Sequence, residues 1–282
     1  MKKYFSLVLF AHSIFALPFA IIGFFLATYI TDASFTLPIF ILMLCCMVFA
    51  RNAAMAFNRY LDRDIDAMNP RTAMRDIPAG KISASQALTF TLLNCMLFIA
   101  ATWFINPLCF YLSPIALAVI LGYSYTKKFT ALCHIVLGIG LGLAPLGAYL
   151  AVTGTFNIVP IFFSLAVIFW VSGFDIIYAL QDEEFDKDHK LNSIPTFFGK
   201  KNALHISETF HGLSVIFITL PVFYIDLGWL YYIGVLFYIS LLIYQHIIIS
   251  PSDLRRVNRA FMTTNGIASV IFALFFLLDI WL

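Results

Sequence analysis

Charge is what this chain has least of. Asp, Glu, Lys and Arg make up 11% of its 282 residues, where an ordinary soluble domain carries about 25%. Cysteine is sparse and unpatterned: Cys45, Cys46, Cys95, Cys109 and Cys133 fall inside apolar runs without metal-ligand spacing. They read as small buried hydrophobes, which argues against a zinc module and against a disulfide framework. Neither of the charged loops is low-complexity, and the basic residues carry no nucleic-acid signature, so no nucleic-acid partner is expected. Apolar residues, by contrast, reach 62% and Phe alone numbers 31. A surplus of that size is more than a larger core absorbs; it must face lipid.

Apolar stretches of spanning length, about 17–25 residues each, are read at 10–30, 36–57, 86–105, 108–126, 131–152, 157–180, 204–224, 229–249 and 259–281. Only Asn106-Pro107 divides the 86–126 region. The expected fold is therefore all-α, a polytopic membrane protein of about nine transmembrane helices in a single bundle. One domain is expected over 1–282, with charged loops at about 60–85 and 181–203. The seventeen Lys and Arg fall on alternate loops or the helix ends beside them, and the loops near 32, 106, 155 and 226 have none. By the positive-inside rule the charged loops lie on the cytoplasmic side of the membrane. Lys2-Lys3 before an apolar run imitates a signal peptide. The run is long enough to span and lacks a small-residue cleavage site, so it is read as the first helix.

Two acid clusters stand out against this background. Asn58, Asp62 and Asp66 are spaced i, i+4, i+8 and share one face of a helix. Asp175, Tyr178, Asp182 and Asp186 follow i, i+3, i+7, i+11 on another, and the pair Asp62/Asp66 recurs as Asp182/Asp186 after 120 residues. Together with the repeated order of long helix, acids, loop, turn and helix, this suggests a two-fold internal pseudo-repeat. Acids at the edge of hydrocarbon call for something cationic. A stripe of carboxylates plus an amide suits a hard divalent ion such as Mg²⁺, which is usually held by one or two carboxylates with substrate phosphates. A diphosphate bridged through metal is the ligand that chemistry suggests. Zn²⁺ would want His or Cys, and neither is suitably placed. Asp64, Glu183, Glu184 and Asp188 lie off the stripes and read as solvated helix ends.

Such a diphosphate also needs cationic donors for its remaining oxygens. Arg75 and Lys127 are the first candidates, at the end of Ile65–Arg75 and of Tyr123-Ser-Tyr-Thr-Lys127-Lys128. Arg71, Lys187 and Lys190 read equally well as donors or as residues that only set topology.

At this point the chain resembles the UbiA superfamily of intramembrane prenyltransferases. The resemblance rests on three motifs in order: Asn58-x-x-x-Asp62-x-x-x-Asp66 with Arg71-Thr and Arg75-Asp-Ile-Pro-Ala-Gly, Tyr123-x-x-x-Lys127, and Asp175-x-x-Tyr178-Ala-x-x-Asp182-x-x-x-Asp186. It covers essentially the whole chain and looks most like the bacterial 4-hydroxybenzoate polyprenyltransferase branch of quinone biosynthesis. It implies Mg²⁺ on Asp62, Asp66, Asp182 and Asp186, with Asn58 orienting the first pair. It also implies a polyprenyl diphosphate contacted by Arg75, Lys127 and Tyr123, with Arg71 and Lys190 as further donors. The prenyl tail would lie in a groove open to the lipid bilayer. An aromatic acid acceptor would meet Lys128 or Arg71, with His12 nearby, and Asp175 would position it or take up a proton.

Some positions depart from the family pattern. Asn58-Arg59 stands where much of the family has Asn-Asp, and Ala11–Pro18 replaces a basic, proline-containing start. Leu191-Asn192-Ser193-Ile194-Pro195 stands where many relatives place Lys before the Ser. These changes leave the metal residues intact and bear on the acceptor, for which a dihydroxynaphthoate of a menaquinone route is the alternative. From a different class, a cation-coupled transporter would place acids near the midplane on broken helices. A lipid head-group transferase would show a compact Asp-x-x-Asp-Gly, which this chain lacks.

Overall fold

The computed structural model describes residues 14–282; His12, Lys2 and Lys3 lie outside them. Ten α-helices follow in order: α1 (Leu17–Ile30), α2 (Leu37–Met68), α3 (Ala84–Ile105), α4 (Pro107–Thr126), α5 (Cys133–Thr153), α6 (Ile158–Ala179), α7 (Glu183–Asp188), α8 (Ile194–Thr219), α9 (Trp229–Ile248) and α10 (Asn265–Trp281). Short 3₁₀ turns occupy Leu180–Asp182 and Leu220–Phe223, and a π-helical turn, Arg259–Thr264, leads into α10. Among the described residues the β-type pairing is one isolated bridge, Ser250 with Asp253, so the fold is all-helical. Eight helical segments are long and apolar enough to cross a membrane, and α1, described from Leu17, is a shorter apolar helix.

Local chemistry sets the boundaries. Asn106 is extended and precedes Pro107, which cannot follow a helical residue without a clash. Its side-chain oxygen then accepts from Cys109 N at 2.9 Å, so the residue that ends α3 starts α4. Ser83 caps α3 in a reciprocal box with Gln86. Ser193 and Thr196 do the same for α8. Two loop expectations need correction. The first charged segment stays helical to Met68, so the loop proper is 69–83. The second is mostly helix: a 3₁₀ turn, α7, and α8 beginning at Ile194. Within α8 the chain breaks at Gly199, whose φ of 73° lies in the left-handed region that glycine tolerates.

The chain, read from sequence as one domain, clusters into two compact units. One contains Thr36–Tyr125, the other Ile14–Phe35 with Thr126–Leu282. In the first, α2 and α3 pack through Ala56, Ile82 and Ala87, flanked by Tyr60, Ile77 and Phe90, and Asn52 donates to Asn94 at 3.1 Å. Trp103 stacks edge-on against Phe110 where α3 meets α4.

The second unit has an aromatic centre, with Trp170, Phe19, Phe163, Phe174, Tyr238 and Phe272 all buried. Lipid gives helices no hydrophobic reason to associate, so close backbone approach and interhelical hydrogen bonds do that work. A Cβ on Gly23 would stand 2.0 Å from the Pro145 carbonyl oxygen, and one on Gly138 2.4 Å from that of Ile168. The α1–α5 and α5–α6 contacts are therefore made backbone to backbone. Buried Ser207 and Ser214 donate across to the carbonyls of Gly173 and Ala166, each at 2.7 Å.

Asn265 joins three segments. Its amide nitrogen donates to the Ala260 and Phe261 carbonyls of the π turn, at 3.0 and 2.9 Å. Its oxygen receives Trp170 Nε1 at 2.8 Å and Gln245 Nε2 at 3.0 Å. Asn265→Leu keeps the volume and strands these donors, each unsatisfied group costing about 1–3 kcal/mol. The detergent-solubilised variant is expected to melt several degrees below wild type, and an unchanged Tm would contradict the role given to this hub.

Candidate functional site

The first acid cluster sits on the last three turns of α2, with the helical stripe the spacing anticipates. Asp62 and Asp66 are buried, at 2% and 4% exposure. Asn58 Nδ2 donates to Asp62 Oδ2 at 3.1 Å, one turn apart. Asp66 Oδ1 meets Arg75 Nη1 at 2.6 Å, a charge-assisted bond. Nothing in α2 brings Arg75 there; the loop does. Thr72 Oγ1 donates to the Asp66 carbonyl at 3.1 Å, Arg75 N donates to Thr72 O, and the Asp76 carbonyl accepts from both Lys81 N and Ile82 N. Gly80, with φ of 70°, completes the turn toward α3.

The second cluster does not form one continuous stripe. Asp175 and Tyr178 lie on α6, Asp182 ends the 3₁₀ turn and stands at the N-terminus of α7, and Asp186 lies within α7. The 3₁₀ turn winds three residues per turn instead of 3.6, so the α-helical spacing rule does not run through it uninterrupted. Acids crowd the first turn of α7, where they meet the positive end of its dipole. Asp64 and Glu184 are solvated as expected, at 82% and 90% side-chain exposure. Glu183 is not. It is buried and bound by Lys187 at 2.5 Å and Lys200 at 3.6 Å, which gives Lys187 a structural partner.

Of the remaining cations, Arg71, Lys128 and Lys190 are exposed and Lys127 is half-buried. Tyr123 lies on the last turn of α4, and Lys127 follows its end. The Lys127 carbonyl accepts from Asn192 N at 2.7 Å and from Asn192 Nδ2 at 3.4 Å, tying the Lys127 turn to the segment before α8. Lys190 takes a positive φ of 54°, uncommon for a residue with a Cβ.

Two residues were passed over in the sequence reading. Arg51 lies on α2 seven residues before Asn58, hence on the same face, with Tyr123 as an electrostatic neighbour. An arginine inside an apolar run was the available signal. His134, on the first turn of α5, is buried and sits 2.7 Å from Asp175 Oδ2 through Nδ1. No spacing rule connects residues 41 apart, so that pairing required the fold.

The donors present fit a hard cation. Asp66 Oδ2 is buried and has no hydrogen-bond partner among the described residues, while its sister oxygen holds Arg75. A desolvated carboxylate oxygen in an all-oxygen set suits Mg²⁺. Among the described residues no three His, Cys, Asp or Glu side chains converge as a metal cage. Mg²⁺ ordinarily takes one or two carboxylates and completes its shell with water and substrate phosphate, so a partial protein shell is what that ion uses. Two cavities lie away from the acids. One, about 350 Å³, is lined by Met96, Trp103, Phe104 and Phe110, and the other, about 490 Å³, by Glu208, His211 and His246 among apolar side chains.

Comparison with known proteins bears on the chain as a whole. The model of the UbiA prenyltransferase family matches residues 16–275. A 4-hydroxybenzoate octaprenyltransferase of Tolumonas auensis is 33% identical over 229 residues, 79% of this chain and 78% of that protein. One of Alkalilimnicola ehrlichii is 28% identical over 246 residues, covering 87% and 83%. Among solved structures, the apo form of a UbiA homologue from Aeropyrum pernix superposes with a TM-score of 0.85 at 32% identity, covering 95% of this chain and 98% of that one. A homologue from Archaeoglobus fulgidus bound to GPP and Mg²⁺ gives 0.77 at 25% identity, covering 99% and 100%. With its apolar helices and its two acid clusters, the chain is an integral membrane prenyltransferase belonging to the UbiA family.

Proposed function

We propose that this enzyme transfers a polyprenyl group from an allylic polyprenyl diphosphate to a ring carbon of an aromatic acid, in a Mg²⁺-dependent reaction of respiratory quinone biosynthesis. The observation that carries the reading is the buried Asp62–Asp66 pair, with one oxygen of Asp66 on Arg75 and the other without a partner. The names of the curated relatives support 4-hydroxybenzoate as the acceptor. The GPP and Mg²⁺ bound by the Archaeoglobus fulgidus homologue support the donor and the metal.

In this reading Asp62, Asp66, Asp182 and Asp186 are the metal ligands, and Asn58 holds Asp62 in its rotamer. When bound, Mg²⁺ offsets the negative charge that gathers on the diphosphate as the C–O bond breaks. Arg75 keeps one N–H on Asp66 and has further donors of its fork for phosphate oxygens. Lys127 and Tyr123 contact the same group, and the exposed Arg71 and Lys190 supply the remaining charge. Such donors act where charge develops and so lower the barrier rather than merely tighten binding. Lys128 and His12 are assigned to the acceptor's carboxylate, with Asp175 taking the ring proton. The lysine and arginine of the charged loops favour the cytoplasmic face for these residues, and the bacterial relatives favour an inner membrane.

One local feature widens the acceptor. Asn192 stands where many relatives have Lys, and its backbone and side-chain amides are both spent on the Lys127 carbonyl. The loss of that cation favours testing a dihydroxynaphthoate beside 4-hydroxybenzoate.

Purified protein given one long-chain prenyl diphosphate, Mg²⁺ and a panel of aromatic acids is expected to yield a C-prenylated acid by mass spectrometry. Absence of product with every phenolic and naphthoic acid, from protein that is demonstrably folded, would sink the reading. Chelation should stop turnover and added Mg²⁺ restore it; activity that persists in EDTA removes the metal.

Asp62→Ala and Asp182→Ala are each expected to lower kcat about 100-fold or more, from lost charge stabilisation. A wild-type rate in either would withdraw that residue as a ligand. Arg75→Ala should also destabilise the protein, by about 3–5 kcal/mol, because Asp66 is left as a buried unpaired charge. Restoring the Tm with Asp66→Asn in the same chain would separate that structural part from the loss of rate.

A further inference from the structure

His134 is buried at 3% exposure, yet the transfer chemistry above makes no use of it. Its two ring nitrogens have different partners. Nδ1 lies 2.7 Å from Asp175 Oδ2, and Nε2 lies 3.4 Å from the backbone nitrogen of Ile194. An amide N–H only donates, so Nε2 accepts and carries no proton. A neutral imidazole has one N–H, which is then on Nδ1 and donates to the carboxylate. Ile194 opens α8, whose first amides lack intrahelical partners and whose N-terminal end carries partial positive charge. The pattern described is thus an Nδ1–H on Asp175 and an Nε2 that accepts from the Ile194 amide.

We propose that His134 is a positioning residue for prenyl transfer: through its Nδ1–H tautomer it fixes the orientation of the Asp175 carboxylate, with one oxygen committed and the other available to the acceptor. The proposal rests on the aromatic-acid reading above. Asp175 keeps 23% side-chain exposure, so it is not sealed in by the pairing. In the step itself the acceptor ring carbon bonds to the allylic carbon, and the C–O bonding pair leaves with the diphosphate. The C–H pair of the attacked ring carbon then returns to the ring, and its proton passes to the available Asp175 oxygen. Asp175 later releases that proton to water.

A plainer role for His134 is a staple between α5 and α6. That contact is already made without it, by Gly138 and Gly142 against the backbone and side chains of α6 and by Ser172 Oγ donating to the Ile168 and His134 carbonyls. What the imidazole adds is a link between α6 and the segment before α8. That segment also holds Lys127, through Asn192 N to the Lys127 carbonyl at 2.7 Å. A residue assigned to the donor and one assigned to the acceptor are thereby fixed to the same short stretch of chain.

The test compares His134→Ala with His134→Asn, whose side-chain amide nitrogen replaces Nδ1. His134→Ala is expected to lower kcat about 100-fold, the scale of a small misplacement of a reacting group. KM for the prenyl diphosphate should be unchanged. His134→Asn should recover most of the rate. With ring-deuterated acceptor, His134→Ala should show a primary isotope effect on kcat that wild type lacks, because proton removal has become slow.

¹⁵N NMR of the wild type should show a neutral Nδ1–H ring that changes in Asp175→Asn. Wild-type kcat in His134→Ala overturns the proposal. So does an equal loss in both variants that tracks Tm without an isotope effect, or a charged or Nε2–H ring in the spectrum. A wild type that prenylates no aromatic acid overturns the underlying reading instead, and is told apart because the ¹⁵N result does not depend on turnover.

Discussion

A charge that leaves water needs a partner, and most of this molecule's polar architecture follows from that constraint. The effective penalty for an unpaired buried ion is several kcal/mol. Helix propensities differ by a few tenths per residue, so they cannot compete. Asp66 is met by Arg75, Glu183 by Lys187 and Lys200, and Asp175 by the Nδ1–H of His134. Each partner arrives from a different stretch of chain or a later turn, so each pair dictates the path of a loop. The segment after α2 must return Arg75 to the end of its own helix. Thr72 on the Asp66 carbonyl, the Asp76 carbonyl and the positive φ of Gly80 are the means by which residues 69–83 make that reversal.

The same constraint explains where sequence reading works and where it stops. Helix positions were legible because lipid imposes length and apolarity, and Asn106-Pro107 split α3 from α4 through local chemistry alone. The first acid stripe was legible because a helix of thirty-two residues carries the i, i+4 rule through Asp66 without interruption. The second is less regular than its spacing suggests, because at Leu180–Asp182 the helix tightens and then restarts with acids in its first turn. Nothing in Asp182-Glu183-Glu184 announces that change, since acids fit a helix N-terminus and a solvated helix face alike. Glu183 was misassigned for a related reason. Its partner Lys200 follows the break at Gly199, a long way along the chain, and the burial of a carboxylate depends on such tertiary partners.

Long-range pairing is also why His134 and Arg51 were passed over. Both are single polar residues in apolar surroundings, where a satisfied buried side chain and a functional one look alike. The fold distinguishes them by geometry. His134 has two nitrogens with two different partners, one a helix N-terminus and the other an acid, and that combination fixes a tautomer. Arg51 lies on the face of α2 that carries Asn58, two turns further into the apolar run. The basic and acidic parts of the α2 stripe are therefore graded along the helix, with the cation deeper than the carboxylates.

That gradation bears on how one scaffold serves different acceptors. On the proposed reading, the carboxylates and their immediate partners answer to the diphosphate, which is the same chemical group whatever the acceptor. The segment 189–193 is not bound in that way. Its Asn192 spends both amides on the Lys127 carbonyl, and Ser193 caps α8 so that the Ile194 amide is presented to His134. Asn192 thus brings no charge to the loop and still ties it down, its side-chain amide donating beside its backbone amide. On that reading, the residues around the clusters, rather than the clusters themselves, would hold the information about which aromatic acid is prenylated, because the clusters answer only to the diphosphate.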